Sequence, residues 1–576
     1  MRHLPPATSM PTITINNKLL EFTEGQTILE VAIDHDIEIP YYCWHPGLSV
    51  VAQCRICLAE VWQPNPRNKG KLEALPKLVP TCQTSASDGM VIHSDSPKAV
   101  RNQRTVMELF LINHPVDCPV CDQAGECWLQ DYAYRYGRAE SRFEEDKIKQ
   151  PKKDLGGNVL LYADRCIMCT RCVRFTKEVT GTGELMVGGR GAHSEIDVFP
   201  GVALDNPMAG NVVDLCPVGA LLDKDFLFQQ RVWLLQQTPS IDGITASGDN
   251  IWAEHNDGVV HRIKPRENMD VNTWWISDEI RHGWAHVHDE SRPKMPWLRG
   301  ESPADLADAA EAWRDARDTA LAGLEQAKHI TVMVSPMLTC EDAWHLATLA
   351  RAIDSDAVLA VGPVPMDGED QTFPGGYTIR AEKAPNARGV RRVLNALGGT
   401  VLEADALFAA LSSDASIAGV LLTGNYPSEW ATPGMREAIG DDRFVVLMDT
   451  VQSAIGARAD VFLPAATWLE KSGTFENANG RLQAFDRAIE PVHYCKNESQ
   501  LALDLQADLE GCASPVFNAL ATRQTMAEAG LDAMLADVHM PQVAIETLSS
   551  DMEFVPLGVS AASGGSCGGG CGCVAD

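Results

Sequence analysis

Eleven of the 17 cysteines fall before residue 217, and they constrain the fold more than any other feature of the chain. They are Cys43, Cys54, Cys57, Cys82, Cys118, Cys121, Cys127, Cys166, Cys169, Cys172 and Cys216. An odd number would leave one thiol outside any disulfide framework. Residues Met1–Met10 include Arg2, His3 and two prolines but no apolar stretch, which is not the pattern of a secretory signal. The expected compartment is therefore reducing, where disulfides are rare. Metal ligation accounts for the thiols better.

The cysteines group by spacing. Cys43, Cys54, Cys57 and Cys82 read C-x10-C-x2-C-x24-C. Soft thiolates suit iron–sulfur cores, and plant-type ferredoxins hold [2Fe–2S] with C-x4-C-x2-C and a remote fourth cysteine. The first gap here is longer, and zinc is the alternative, although closed zinc sites favour paired C-x2–4-C knuckles. His114, Cys118, Cys121 and Cys127 read H-x3-C-x2-C-x5-C. Spacing hardly separates iron from zinc in this set, and its place between two other cysteine groups favours iron. An imidazole in place of a thiolate leaves a cluster less negative by one charge and raises its potential. Gly125 permits a tight loop there. Cys166, Cys169 and Cys172 form C-x2-C-x2-C, the run seen in bacterial ferredoxins, with Cys216 remote and followed by Pro217. Pro217 fixes φ and carries no N–H that would need a partner. Eleven cysteines and His114 fill three sets of four with none left over.

Around these sets the expected architecture is α+β, then α/β. Thr12–Ile15 alternates, Asn16–Asn17 turns and Leu19–Phe22 forms a second strand, as at the start of a β-grasp domain. Thr27 and Glu30 have capping-box spacing at the start of a helix. Gln63–Lys77 is expected as a surface insertion, 98–113 as a helix and 140–154 as a charged linker. From about residue 240, Ala/Asp/Glu-rich helical stretches alternate with apolar strands such as Ile330–Val334, Val420–Leu422 and Phe444–Leu447, an α/β pattern. The expected domains are a disordered extension (1–11, with Met10 an alternative start), a [2Fe–2S] ferredoxin-like domain (12–97), a [4Fe–4S] domain with one His and three Cys ligands (98–139), a [4Fe–4S] ferredoxin-like domain (140–235), an α/β domain (236–550) and a Gly/Cys-rich tail (551–576). The net charge of −30 excludes nucleic acid as a partner and argues against direct docking on an anionic membrane. No apolar run reaches the ~18–20 residues of a membrane span.

The cluster order strongly resembles the large iron–sulfur subunit family (75 kDa type) of respiratory complex I, NADH:quinone oxidoreductase. The resemblance extends through Arg262-Ile263-Lys264-Pro265-Arg266, Asp270-Val271-Asn272 and Trp275-Ile276-Ser277-Asp278. Ala459–Ala466 with Glu470–Asn477, and Pro385–Gly389, resemble the molybdopterin-oxidoreductase fold. The resemblance implies one [2Fe–2S] on Cys43, Cys54, Cys57 and Cys82. It implies one [4Fe–4S] on His114, Cys118, Cys121 and Cys127, and another on Cys166, Cys169, Cys172 and Cys216. It further implies FMN on a partner subunit only, a degenerate C-terminal half without molybdopterin, and other peripheral-arm subunits as partners. Membrane contact would be indirect, on the cytoplasmic face if bacterial and the matrix face if mitochondrial. Ile241–Gly248 has no cysteine, so a fourth cluster found in some bacterial members is expected to be absent. Cys340, Cys495 and Cys512 are given no function, and Cys567, Cys571 and Cys573 lie in the Gly-rich tail.

The alternatives are the diaphorase-side subunit of an NAD-reducing hydrogenase, a formate dehydrogenase and, from another class, a zinc-stabilised scaffold. The twelve donors predict about ten iron atoms per chain. Metal and acid-labile sulfide analysis checks this: about fourteen iron atoms would mean a missed cubane, and zinc without iron would exclude electron transfer.

Overall fold

In the computed structural model, residues 10–299, 309–399 and 401–538 are described. The expected tail, with Cys567, Cys571 and Cys573, lies outside them, as does most of the expected N-terminal extension. Regular structure begins at Thr12. β1 (Thr12–Ile15) and β2 (Lys18–Glu21) form a hairpin through Asn16 and Asn17, whose φ values of 48° and 67° suit the primed turns of tight hairpins. Thr27 caps the helix Ile28–Asp34, with its Oγ1 accepting from the Glu30 N–H while Glu30 accepts from the Thr27 N–H at 2.7 Å. β3 (Leu58–Asn65), β4 (Lys71–Ala74), β5 (Val79–Pro80) and β6 (Val91–His93) complete the sheet. Its order is β2-β1-β6-β3-β4, with β1 and β6 parallel and β5 paired to β3. Ile13, Ile15, Ile28, Leu29, Val61 and Ile92 form the core between this sheet and the helix, a β-grasp arrangement.

Gln63–Lys77 is exposed as expected but is not a loop. β3 runs on to Asn65, turns through Lys69 (φ 52°) and Gly70 (φ 76°), and returns as β4 with Gln63 opposite Glu73. The edge of the sheet thus carries lysine and proline, which blunt an open edge against pairing with other chains. The helix expected at 98–113 spans Pro97–Leu111, capped by Ser96 and started by Pro97.

The charged linker holds no regular structure until Lys152. Its last residues then form β7 (Lys152–Asp154), beside β8 (Val159–Tyr162). Charge holds this strand, because Lys153 reaches Glu195 at 3.0 Å and Asp197 at 2.6 Å. Those carboxylates lie on β10 (Glu195–Val198), which pairs with β9 (Leu185–Gly188), while β11 (Leu221–Asp223) closes the other side of β8. Segments 98–139 and 140–235 do not keep separate cores. Met107, Leu129, Val173, Phe175, Val212 and Leu221 pack in one cluster that also takes in Tyr42.

The α/β body begins later than expected. Residues 236–265 form an antiparallel meander of β12 (Gln236–Ile241), β13 (Asn250–Asn256) and β14 (Val259–Pro265). β15 (Trp297–Leu298), β16 (Ile330–Val334) and β17 (Val358–Val361) follow, then a small hairpin of β18 (Gln371–Thr372) and β19 (Thr378–Ile379). β20 (Val401–Glu403), β21 (Gly419–Thr423), β22 (Phe444–Asp449) and β23 (Val461–Pro464) complete a sheet of order β15-β23-β22-β21-β16-β17-β20. Only β15 runs antiparallel to its neighbour in that sheet. Its central strands are predominantly apolar and almost wholly buried, with Thr331, Thr423 and Asp449 the polar exceptions, as parallel strands covered on both faces require. A last hairpin, β24 (Gly473–Glu476) with β25 (Leu482–Phe485), returns to the meander. Phe475, Phe485 and Trp468 pack there against Ile251 and Ile263.

The body also buries charge. Lys471, 1% exposed in its side chain, lies 2.9 Å from Asp342 and 2.7 Å from Glu498. Removing one member of such a group strands the others in low dielectric, at a cost of about 3–5 kcal/mol. Lys471→Met is therefore expected to lower the thermal stability of the C-terminal body by that order, read by calorimetry, whereas Arg481→Met at a surface pair should change it by less than about 1 kcal/mol.

Candidate metal centres

Cys43, Cys54 and Cys57 of the first set sit on one loop before β3, and Cys82 follows β5. Ala52 and Arg55, flanking Cys54, hold φ values of 49° and 60°, a region that residues other than glycine rarely occupy. The four sulfurs fall into two pairs, with Cys43 Sγ 3.5 Å from Cys54 Sγ and Cys57 Sγ 3.6 Å from Cys82 Sγ. Tetrahedral metal–thiolate bonds of about 2.3 Å make sulfur–sulfur edges of about 3.8 Å, so each pair suits one metal ion. The hydrogen bond from Cys54 pulls the Cys43 thiol down to about 5, and that from Cys82 pulls Cys57 down to about 7. Cys54 and Cys82 move up as the proton-holding partners.

In the second set, Cys118 opens a single 3-10 turn and Cys127 is the N-cap residue of the helix Trp128–Tyr136. Gly125 turns between them at φ 98°, and a Cβ there would stand 2.6 Å from Val232 Cγ2. Burial pushes the Cys127 thiol up to about 11, with Cys121 and Cys118 adding to the effect. Burial also holds the His114 imidazole down at about 4, against the pull of Asp117. His114 Nδ1 is buried with no hydrogen-bond partner. A neutral ring with a buried, unsatisfied nitrogen has a lone pair free for a metal ion. His114 and Cys121 share Asp117 and Arg165 as charged neighbours.

In the third set, Cys166, Cys169, Cys172 and Cys216 line one cavity with Ile167 and Leu221. Met168 (φ 55°) and Thr170 (φ 59°) turn the chain between successive cysteines. Burial raises all four thiols, Cys216 to about 12. A bound cation would reverse that, since a coordinating thiol loses its proton. None of the eleven cysteines is in a disulfide. Cys340 and Cys495 are buried and Cys512 is exposed, each a single free thiol.

The sets do not follow one another in space as they do in sequence. The first set's loop packs on the third, with Gln53 donating to the Met168 carbonyl and Arg174 to the Cys43 carbonyl. The second set meets the other side of the third. A Cβ on Gly219, three residues after Cys216, would stand 2.4 Å from Cys121 Sγ, and the Trp128 N–H donates to the Pro217 carbonyl at 3.0 Å. The third set therefore lies between the other two. Sequence reasoning gave no role to Gly219 or to Arg165, Arg171 and Arg174, although Arg165 and Arg174 flank the C-x2-C-x2-C run and Arg171 lies within it. It also passed over Asp223, Asp225 and His282, whose ligand atoms lie within 4.8 Å of one another at the surface end of β11.

Residues 103–142 match the family profile described as the NADH-ubiquinone oxidoreductase-G iron-sulfur binding region. Residues 156–222 match the ferredoxin-like domain of NADH-quinone oxidoreductase subunit 3. The G-type subunit of the NADH-quinone oxidoreductase of Rickettsia felis is 29% identical over 87% of this chain and 88% of its own. The chain belongs to the large iron–sulfur subunit family of NADH:quinone oxidoreductase. A 2Fe-2S iron-sulfur cluster binding domain profile covers residues 9–97 and a molybdopterin oxidoreductase profile residues 394–507. The NDSU1/NuoG-like 4Fe-4S domain profile of this family covers residues 235–285, a stretch that contains no cysteine here. Two further relatives in the family match over less of their length. The mitochondrial NADH dehydrogenase [ubiquinone] iron-sulfur protein 1 of Solanum tuberosum is 36% identical over 62% of this chain and 47% of its own. The NADH-ubiquinone oxidoreductase 75 kDa subunit of Reclinomonas americana is 42% identical over 47% and 38%. A chain from the crystal structure of an NAD+-reducing [NiFe]-hydrogenase is 30% identical and covers 39% of this chain and 92% of that one. Its TM-score of 0.33 carries no argument for fold or function.

The seam between the second and third sets is testable through Gly219. Gly219→Val is expected to displace Cys121 and to broaden or remove the EPR signal of the second centre in the reduced protein, while the signal of the first centre stays.

Proposed function

We propose that Cys43, Cys54, Cys57 and Cys82 hold a [2Fe–2S] cluster, that His114, Cys118, Cys121 and Cys127 hold a [4Fe–4S] cluster, and that Cys166, Cys169, Cys172 and Cys216 hold a second [4Fe–4S] cluster. The chain is an iron–sulfur electron-transfer subunit of the peripheral arm of complex I. In this reading electrons come from NADH through FMN on a partner subunit and go towards quinone, and proton translocation belongs to the whole complex. The observation that carries the reading is the contact of all three buried donor sets through the Cys166–Gly219 region.

When bound, such clusters exchange single electrons at potentials set by charge, hydrogen bonds and solvent exposure. The chain's own residues do three things. The paired sulfurs of the first set and the cavity of the third fix the donors before metal arrives. Burial excludes water from them. The Cys216–Gly219 turn and the Arg174 guanidinium fix the separation between neighbouring sets. The order in space gives the path: first set, third set, second set. Beyond the second set, Val120, Phe228 and Trp233 are 60–66% exposed on the loops that cover Cys121, and they offer an apolar face to a partner iron–sulfur subunit. The α/β body supplies contacts to other subunits and no molybdopterin. Among the described residues no helix is long and apolar enough to cross a membrane. In this reading the membrane contact is indirect, on the cytoplasmic side in a bacterium and the matrix side in a mitochondrion.

The decisive residue is His114, because zinc and iron readings differ in what its replacement does. A thiolate adds a negative charge that an imidazole lacks, so His114→Cys should lower the potential of the second cluster and still allow assembly. His114→Ala should leave one iron open and make that cluster labile. Both should leave the other two EPR signals in place. An unchanged second potential in His114→Cys at normal iron content would remove His114 from the ligand set, and molybdenum in the purified complex would overturn the scaffold role of the C-terminal body.

A further inference from the structure

Six arginines are buried among the described residues: Arg165, Arg171, Arg174, Arg281, Arg292 and Arg523. Four have a carboxylate beside them. Arg165 pairs with Asp117 at 2.7 Å, Arg281 with Asp214 at 2.5 Å, Arg292 with Glu470 at 2.8 Å and Arg523 with Glu341 at 3.1 Å. Arg171 and Arg174, 3% and 5% exposed, have none within 4.0 Å among the described residues.

Both belong to the short helix Arg171–Arg174 that carries Cys172. Arg174 gives its donors to main-chain carbonyls only: those of Cys43 and Ser49 on the first set's loop, and those of Cys169 (3.4 Å) and Thr170 (3.3 Å) on the third set's loop. Arg171 donates to the Trp44 carbonyl at 2.6 Å and the Leu215 carbonyl at 3.3 Å, and lies over the Trp128 ring at 4.5 Å. Its Nε is buried without a partner. Carbonyl dipoles satisfy the donors but do not neutralise the charge. A guanidinium does not give up its proton in a protein, and a buried cation without an anion is strongly unfavourable. The negative charge has to come from something these carbonyls surround. Thiols of the first and third sets are close enough to interact electrostatically with both guanidinium groups, Cys43 with Arg174 and Cys169 with both, and these sets turn net negative when they hold iron–sulfur cores.

The geometry points to Arg174 as a counter-ion shared by the first and third clusters, with Arg171 as a second cation on the third. The inference rests on the ligand sets proposed above. A fixed positive charge between two anionic centres stabilises the reduced form of each and so raises both potentials. When the first cluster loses one electron and the third gains it, one unit of negative charge crosses from one side of the guanidinium to the other. The pairing survives the transfer, and no proton has to follow the electron.

The test is a redox titration of the three EPR signals in the assembled complex carrying Arg174→Gln, Arg174→Lys or Arg171→Gln. The glutamine at 174 keeps a donor and drops the charge, so the first and third signals should move to lower potential while the second stays. Lysine at 174 should return both towards wild type. Arg171→Gln should lower the third signal more than the first. Wild-type potentials in Arg174→Gln with all three signals present overturn the inference, as does a uniform shift of all three, which would report loosened packing rather than lost charge. If Arg174→Gln does not assemble, an unmoved third potential in Arg171→Gln overturns it alone. Zinc in place of iron in the wild-type chain is a different failure, because it removes the ligand sets themselves.

Discussion

Everything in the first 222 residues depends on holding sulfur donors out of water on loops that have little regular structure of their own. The three sets lie on segments where ordinary residues occupy left-handed backbone: Ala52, Arg55, Met168 and Thr170 all have φ between 49° and 60°. Each such residue costs on the order of 1–3 kcal/mol. Thiols buried this deeply resist ionisation, as the raised values of Cys127 and Cys216 indicate. Neither cost suits a chain that merely needs to fold. Both are offset if metal ions cross-link the loops, because metal binding to a site formed only in the folded state is itself folding free energy. The β-grasp sheet and the helix Pro97–Leu111 then act as walls around the sites, and their shared apolar cores keep the loops in register.

The second half follows a different logic. Its parallel sheet is predominantly apolar on its central strands and closes by burying them. Some of its buried charges are paired side chain to side chain, as with Lys471 between Asp342 and Glu498. The meander β12–β14 and the segment that follows it, to Ile276, join the two halves. Asn211 of the third-set segment donates to the Ile276 carbonyl at 2.7 Å, and Tyr377, on the turn between β18 and β19, donates to Asp249. Within the stretch that matches a 4Fe-4S profile, the tip of the meander is filled by packing. Gly243 lies so close to Trp468 that a Cβ would meet the indole at 2.4 Å. Asp242 there accepts from the Ile244 and Thr245 N–H groups, and burial holds its carboxyl up at about 7.

The parts of this arrangement that were legible beforehand are those written in short-range spacing. The capping box at Thr27 and Glu30, the Asn16–Asn17 turn and the apolar strands of the α/β body depend on neighbours within a few residues. The hairpin across Gln63–Lys77 is not legible in the sequence because its Pro, Lys and Asn content resembles a loop, whereas an edge strand facing water tolerates those residues. The strand at Lys152–Asp154 was hidden for a related reason. It is fixed by pairing with β8 and by ion pairs to β10, some 40 residues away, and not by apolar alternation.

Which atoms are available as ligands, and how many sets they make, follows from residue types and spacing alone. Thiols two residues apart on one loop are neighbours in any fold, and a count of twelve donors is independent of geometry. Folding adds that the third set stands between the first and second, that Cys43 faces Cys54 while Cys57 faces Cys82, and that Arg171 and Arg174 come to rest without a carboxylate within 4.0 Å. These are contacts between segments separated by tens to more than a hundred residues, set by which apolar faces bury against one another. No local spacing encodes them, because the free energy that selects them is released only when distant parts of the chain leave water together.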